Sequence, residues 1–200
     1  HTTASAFCAR SLATQAEMFG LGFLDAPVSG GQAGAEKGLL SIMCGGAEAH
    51  FKAAKPVMEA YGRTVIRIGE AGSGQTAKMA NQLCIAGVLA GLSEALALAE
   101  KSGLDIEVLK SAISGGAAQS WQMDNRLSTM ATRTFDFGFA VDWMRKDLGI
   151  VLDEAEKMGL NLPLAKQVDA AYARVQEQGG TRFDTSSLLL GWLEGEGKSS

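Results

Sequence analysis

A proline-free stretch from Gln75 to Lys101 dominates this sequence and is built largely from Ala, Leu, Met, Gln and Glu. These residue types favour an α-helix, and a helix of this length is roughly 40 Å long. Because it is apolar on nearly every side, other helices or a partner subunit must cover it. Its apolar run Leu83–Ala99 contains Ser93 and Glu94 and is only 17 residues long, which favours a buried central helix over a membrane span.

The residues before this helix alternate between helical and strand patterns. Ser5 is a suitable N-cap for a helix that ends near Met18. A second helix is predicted at Ala47–Ala60. Short strands are predicted at Phe23–Val28, Leu39–Cys44 and Thr64–Ile68, from their apolar runs and β-branched residues.

The residues after the long helix predict helices alone. They are expected at Ile106–Ser114, Ala117–Ala131, Val141–Met158, Leu164–Glu177 and Thr185–Glu194, with a frayed tail at Gly195–Ser200. The predicted fold class is therefore α/β followed by all-α, with one domain over residues 1–72 and a helical domain over residues 73–200 built on the long central helix.

Charge and composition exclude several classes of function. The net charge of −4, with neither half of the chain basic, argues against binding to nucleic acid or to an anionic membrane. Cys8, Cys44 and Cys84 are widely spaced and are expected to pack as reduced thiols in a cytoplasmic protein. With only His1 and His50 as histidines, no metal site is predicted.

Two segments suggest chemistry. Asp25-Ala-Pro-Val-Ser-Gly-Gly31 ends a predicted strand in Ser29, Gly30 and Gly31, whose backbone N–H groups and hydroxyl could bind a carboxylate. An ordinary turn at the end of a strand would have the same sequence. We call Ser29–Gly31 the carboxylate turn.

The second segment is Gly72-Ser-Gly-Gln-Thr-Ala-Lys-Met-Ala-Asn-Gln82, at the start of the long helix. Its Lys78 is a lone basic residue with Asn81 and Gln82 on the same helix face. Partial burial would favour the neutral form of this lysine, so that it could exchange a proton with a substrate hydroxyl. A solvated lysine at a helix start is the alternative.

Together with Lys146-Asp-Leu148, these segments resemble, in order and spacing, the β-hydroxyacid dehydrogenase family, which includes 3-hydroxyisobutyrate dehydrogenases and tartronate semialdehyde reductases. The resemblance extends over essentially the whole chain. It implies an NAD(P)-dependent oxidoreductase of small hydroxy acids or their semialdehydes, among them the glyoxylate class.

The resemblance also implies roles for individual residues. In this family the carboxylate turn holds the substrate carboxylate and the helix lysine is the catalytic acid/base. These roles fall on Ser29, Gly30 and Gly31, and on Lys78. Asn81 is expected to be the amide partner of the lysine, with Gln82 as the substitute.

Further roles concern the pocket and the cofactor. Phe139 is expected to form a wall of the substrate pocket and Asp147 to lie near the site. Lys146 is expected beside the cofactor, and Thr3 belongs to a turn that in this family touches the nicotinamide side.

One family feature is missing from the sequence. These enzymes begin with a G-x-G-x-x-G unit that binds NAD or NADP, and Gly72-Ser-Gly-Gln does not fit that pattern. The resemblance therefore predicts a truncated copy, with a partial Rossmann-type sheet, that is inactive alone. The choice between NAD and NADP stays open, and a homodimer or tetramer through the helical domain is expected.

Two alternatives to this interpretation are open. The chain could be a non-catalytic helical dimerisation module left by truncation. It could also be a phosphogluconate-type or imine-reducing relative, although the absence of a histidine between Lys78 and Asn81 argues against the first and the lysine itself against the second.

Overall fold

The structure, a computed structural model, describes residues 1–193, so the predicted tail Gly195–Ser200 lies outside the described residues. The chain divides into two compact units. The first contains His1–Gln82 and Gly149–Asn161, and the second contains Leu83–Leu148 and the residues from Leu162 onward. The predicted boundary between residues 72 and 73 remains a prediction.

The first unit contains a small sheet. Strands β1 (Val28–Ser29), β2 (Leu40–Gly45) and β3 (Gly62–Gly69) lie in the order β1-β2-β3. β1 is antiparallel to β2, and β2 is parallel to β3. Helix α3 (Glu48–Met58) forms the connection between the two parallel strands.

Two further helices belong to this part of the first unit. Helix α1 (Ala6–Met18) begins at the predicted cap, where the Ser5 hydroxyl accepts a hydrogen bond from the N–H of Cys8. Helix α2 (Gly31–Glu36) follows the carboxylate turn directly and was not predicted from the sequence.

The core of the first unit lies against the sheet and buries apolar residues from which the strand at Leu39–Cys44 was predicted. Apolar residues at alternating positions of β2 are buried there, with Met58 at the end of α3. Its buried residues are Ala26, Leu40, Ile42, Cys44 and Met58.

The strand predicted at Phe23–Val28 is wrong in most of its length. Only an isolated bridge between Asp25 and Gly45 and the two residues of β1 are paired. An apolar run becomes a strand only where a neighbouring strand accepts its backbone hydrogen bonds, and the described chain supplies that neighbour at few positions.

Helix α4 (Ser73–Lys101) is the long helix that the sequence predicts. It is long and apolar enough to cross a membrane by length and composition, and 44% of that stretch is buried inside the protein. The core helix of a soluble protein passes the same test, so this length carries little weight.

The second unit is helical in its described part. Its helices include α5 (Ile106–Ile113), α6 (Trp121–Ala131), α8 (Pro163–Glu177) and α9 (Leu188–Leu193), and it shares α4 and α7 (Val141–Lys157) with the first unit. Its core consists of Leu92, Leu96, Met123, Leu127, Met130, Phe135 and Leu189.

Three details differ from the sequence predictions. The helix predicted from Ala117 begins at Trp121, because the Ser120 hydroxyl caps it by accepting from the N–H of Met123. The helix predicted at Thr185–Glu194 is a 3-10 turn, Thr185–Ser187, followed by α9. Cys8 and Cys84 are free but exposed, so only Cys44 is a packed thiol.

Candidate active site

The carboxylate turn has an unusual backbone conformation at both of its glycines. β1 ends at Ser29, and the next two residues have positive φ angles of 130° at Gly30 and 59° at Gly31. Both glycines are exposed, and a Cβ atom on Gly30 would lie 3.2 Å from Cδ2 of Leu40. Glycine is therefore needed here, and the turn leaves its backbone open to a ligand.

Lys78 lies in the second turn of α4 and is buried, with 8% of its surface exposed. The burial that the sequence interpretation requires is therefore present. Gln82, four residues later, is also buried, whereas Asn81 is half-buried and its amide donates to Oε1 of Gln82 at 2.8 Å. Asn81 is thus held by Gln82 and is the more accessible of the two amides.

The side chain of Asp25 joins the two motifs. Its Oδ1 accepts from the N–H of Gly72 at 2.7 Å, and its Oδ2 accepts from the N–H of Gln75 at 2.8 Å. The residue is 4% exposed. A carboxylate at this position satisfies N–H groups at the start of α4 and has the favourable sign for the helix dipole.

The backbone of Asp25 is held as firmly as its side chain. Its N–H donates to the carbonyl of Gly45 at 3.0 Å and its carbonyl accepts from the N–H of Gly45 at 2.8 Å. The chain then continues through β1 into the carboxylate turn. Asp25 therefore ties the strand that leads to Ser29 to the helix that carries Lys78.

Two glycines make this junction possible. A Cβ on Gly45 would lie 2.5 Å from Oδ1 of Asp25, and a Cβ on Gly74 would lie 2.8 Å from the carbonyl oxygen of Asp25. Real Cβ atoms do not approach other atoms so closely, so neither position accepts a side chain without movement of the backbone.

Gln75 binds the chain near the N-terminus. Its Oε1 accepts from the N–H of Ala4 at 2.9 Å, and its Nε2 donates to the carbonyl of Thr2 at 2.8 Å. These two contacts lie on either side of Thr3, which is half-buried. Asp25 and Gln75 both stand inside the quoted motifs but received no role from the sequence; a buried polar residue within a glycine-rich motif is the signal that could have found them.

The remaining predicted residues lie in the second unit. The N–H of Phe139 donates to Oδ2 of Asp184 at 3.1 Å, and its ring is partly exposed. Lys146 and Asp147 are neighbours in α7 whose Nζ and Oδ1 atoms lie 2.9 Å apart. The carboxylate of Asp147 is buried, whereas the lysine is substantially exposed.

Phe139 is held by a group that sequence reasoning missed. Asp184 is buried and also accepts from Nε of Arg126 at 3.0 Å. The guanidinium of Arg126 lies 4.7 Å from the ring centres of both Trp121 and Phe137, within range of cation–π attraction. The loop that carries Phe139 is therefore held by an ion pair to the buried Asp184 carboxylate and by the cation–π contact of Arg126 with Phe137.

The two predicted cofactor residues differ in exposure. Thr3 is half-buried, and the side chain of Lys146 is 42% exposed. A threonine hydroxyl and a lysine ammonium are groups that can bind ribose and phosphate oxygens. Among residues 1–193, no three His, Cys, Asp or Glu side chains are grouped so that they could hold a metal ion.

Two known family descriptions match this chain. Residues 72–191 match the family described as NAD-binding of NADP-dependent 3-hydroxyisobutyrate dehydrogenase. The chain belongs to the β-hydroxyacid dehydrogenase family. Residues 1–69 match the NAD binding domain of 6-phosphogluconate dehydrogenase. Both descriptions are of NAD-binding domains, so the family identifies NAD or NADP as the cofactor.

Individual relatives are similar over almost the whole chain. An uncharacterized oxidoreductase of Shewanella frigidimarina is 57% identical over 94% of the chain and 65% of its own length. The 2-hydroxy-3-oxopropionate reductase of Escherichia coli is 39% identical over 90% of the chain and 62% of its own length.

Solved structures give the same result. The structure of Mycobacterium tuberculosis 3-hydroxyisobutyrate dehydrogenase with L-serine has a TM-score of 0.86 and 33% identity, covering 94% of this chain and 67% of that protein. The chain thus spans about two thirds of the length of these β-hydroxyacid dehydrogenase relatives.

Proposed function

We propose that the chain carries the acid/base and carboxylate-binding residues of an NAD(P)-dependent oxidoreductase of small hydroxy acids or their semialdehydes. The observation that carries this proposal is the junction at Asp25, which ties the carboxylate turn to the start of the helix bearing the buried Lys78. An anion-binding turn held to a buried proton carrier suits a substrate that has a carboxylate close to a hydroxyl or carbonyl group.

In this proposal Ser29, Gly30 and Gly31 bind the substrate carboxylate through backbone N–H groups and the Ser29 hydroxyl. Lys78 hydrogen-bonds the substrate hydroxyl and gives or takes its proton. Asn81, the more accessible amide, contacts the same oxygen, and the buried Gln82 orients Asn81 through the hydrogen bond between their side chains. Phe139 and Asp147 keep the roles in substrate binding that the family resemblance implies.

The cofactor is NAD or NADP, and Thr3 and Lys146 are the residues of this chain that would contact it. A bound nicotinamide supplies or accepts the hydride. We infer that β1–β3 are part of a Rossmann-type sheet that a G-x-G-x-x-G unit completes, and that the 200-residue chain alone is inactive for lack of that unit.

The substrate class is that of the relatives. The Escherichia coli relative is named a reductase of 2-hydroxy-3-oxopropionate, and the Mycobacterium tuberculosis one a dehydrogenase of 3-hydroxyisobutyrate. Both names describe short acids with an oxygen function near the carboxylate, which agrees with the proposed use of the turn and the lysine. We place the enzyme in the cytoplasm as a homodimer or tetramer.

The test compares the 200-residue chain with a fusion that puts a G-x-G-x-x-G nucleotide-binding unit before residue 1. Each is titrated with NADH and NADPH and assayed with glyoxylate and related semialdehydes. We expect cofactor binding and turnover from the fusion alone. Micromolar cofactor binding by the 200-residue chain would contradict the inference that it is inactive for lack of that unit.

Lys78→Met in the fusion should lower turnover by about 10²–10⁴, the usual contribution of a general acid or base. Lys101→Met is the matched control, because Lys101 is an exposed lysine at the other end of the same helix and should leave turnover unchanged. Equal activity of both variants would remove Lys78 from the proposed mechanism. A folded fusion that neither binds cofactor nor reduces any of these acids would favour the dimerisation module instead.

A further inference from the structure

The segment Thr2–Ala4 lies just before the N-cap of α1 and belongs to no helix or strand. We call it the Thr3 segment. Because an irregular segment has no ladder of its own, its conformation depends on contacts with other parts of the chain. Gln75 supplies two of those contacts, one to the carbonyl of Thr2 and one to the N–H of Ala4.

These two contacts use both polar atoms of the Gln75 side-chain amide. Its oxygen accepts and its nitrogen donates, so the side chain recognises the backbone on both sides of Thr3 at once. The side chain is 3% exposed, which removes competition from water. The main chain of Gln75 is fixed as well, because its N–H donates to the buried carboxylate of Asp25.

Gln75 also has a fixed relation to the proposed proton carrier. It stands three residues before Lys78 on α4, and residues at that spacing are neighbours on one helix face. The Thr3 segment is therefore attached to the turn of helix that precedes Lys78. Any group that Thr3 contacts is held at a set position relative to that helix.

We propose that Gln75 is a positioning residue that fixes the Thr3 segment on the Lys78 helix, and so sets where the nicotinamide side of the cofactor meets the proton carrier. The second part rests on the proposed function. The first part is a property of the 200-residue chain itself and is measured there.

The first experiment measures exchange of the Ala4 amide hydrogen by NMR in the 200-residue chain. Gln75→Met keeps the length of the side chain but removes the acceptor, so Ala4 should exchange at least tenfold faster. The amide of Gly45, which donates to the carbonyl of Asp25, serves as an internal reference and should be unchanged. Gln15→Met, at an exposed glutamine on α1, is the control. An unchanged rate at Ala4 would overturn the proposal.

A second variant guards against general unfolding. In Gln75→Glu the carboxyl group can accept from the N–H of Ala4 in both its protonated and its ionised form, and ionisation removes only its donation to the carbonyl of Thr2. Ala4 should therefore stay protected in Gln75→Glu and lose its protection only in Gln75→Met. Exchange of Ala4 as fast in Gln75→Glu as in Gln75→Met, with the Gly45 amide unchanged, would contradict the proposal.

Kinetics of the fusion test the link to the cofactor. Gln75→Met should raise the KM for NAD(P)H at least tenfold while the KM for the acid changes little. Absence of turnover in the unsubstituted fusion would defeat the proposed function and the role of Thr3 with it. An active fusion whose cofactor KM ignores Gln75→Met would overturn the positioning role alone.

Discussion

At the residue scale, Asp25 connects distant parts of the chain through hydrogen bonds that no periodic sequence pattern predicts. Its hydrogen bonds reach residues 47 and 50 positions further along the chain. Its charge also helps to keep the neighbouring Cys44 protonated, since burial first and the Asp25 carboxylate second raise the pKa of that thiol. Asparagine has the same shape but one acceptor instead of two, so the second N–H at the start of α4 would face an amide nitrogen.

We therefore expect Asp25→Asn to lower the free energy of unfolding by about 1–3 kcal/mol, the cost of leaving a buried donor without its acceptor. Asp105→Asn is the matched control. Asp105 caps α5 from an exposed position, and asparagine caps helices about as well as aspartate. Urea unfolding of both variants checks this prediction. Equal losses would mean that Asp25 is only an ordinary helix cap.

The candidate site could be predicted from the sequence where its features are local, and not where they depend on distant contacts. The carboxylate turn is a local property, because two adjacent glycines indicate it. The burial of Lys78 is local as well, because apolar residues surround this lysine in the sequence. The roles of Asp25 and Gln75 depend on partners far along the chain, and a single sequence does not reveal which distant backbone groups will meet.

At the scale of elements, two of the three glycines in α4 have opposite requirements. Gly74 lies against the backbone of Asp25 and Met43, whereas a Cβ on Gly91 would meet no atom within 4 Å. Alanine favours a helix over glycine by about 0.5–1 kcal/mol. Gly91→Ala should therefore raise the melting temperature and Gly74→Ala should lower it, both measured by circular dichroism. A rise in both would show that the approach of α4 to Asp25 is not constrained.

Elements were predicted well where the helical pattern was long or a cap marked its start. α1 begins at its Ser5 cap and α4 and α7 end within one residue of their predicted ends. The strand at Phe23–Val28 was wrong because an apolar run gives burial but not a pairing partner. Helix α2 was missed because its six residues, which include two glycines and two alanines, show no apolar period.

At the scale of the whole molecule, the second unit leaves large apolar side chains in water. Leu98 on α4 is 70% exposed and Val108 on α5 is 67% exposed. Exposed apolar side chains mark a subunit interface where they form one contiguous patch. The proposed homodimer or tetramer would cover these two side chains.

We expect sedimentation of the 200-residue chain to show a dimer or tetramer, and Leu98→Glu to raise its dissociation constant at least tenfold. Met18→Glu is the control, because Met18 is 80% exposed but lies on α1 in the first unit. A monomer at all concentrations would contradict the prediction. Dissociation by Met18→Glu alone would assign the interface to the first unit.

The junction at Asp25 also bears on where the backbone could be cut. Residues 26–71 lie between Asp25 and Gly72, and the N–H of Gly72 donates to the Asp25 carboxylate. The two ends of this segment are therefore held together by a hydrogen bond. The exposed turn around Lys37, between α2 and β2, lies inside it. If the protein were produced as two fragments divided at that turn, Asp25 would lie on the first fragment and Gly72 on the second. The hydrogen bond between them would then form when the two fragments associate, without a continuous backbone.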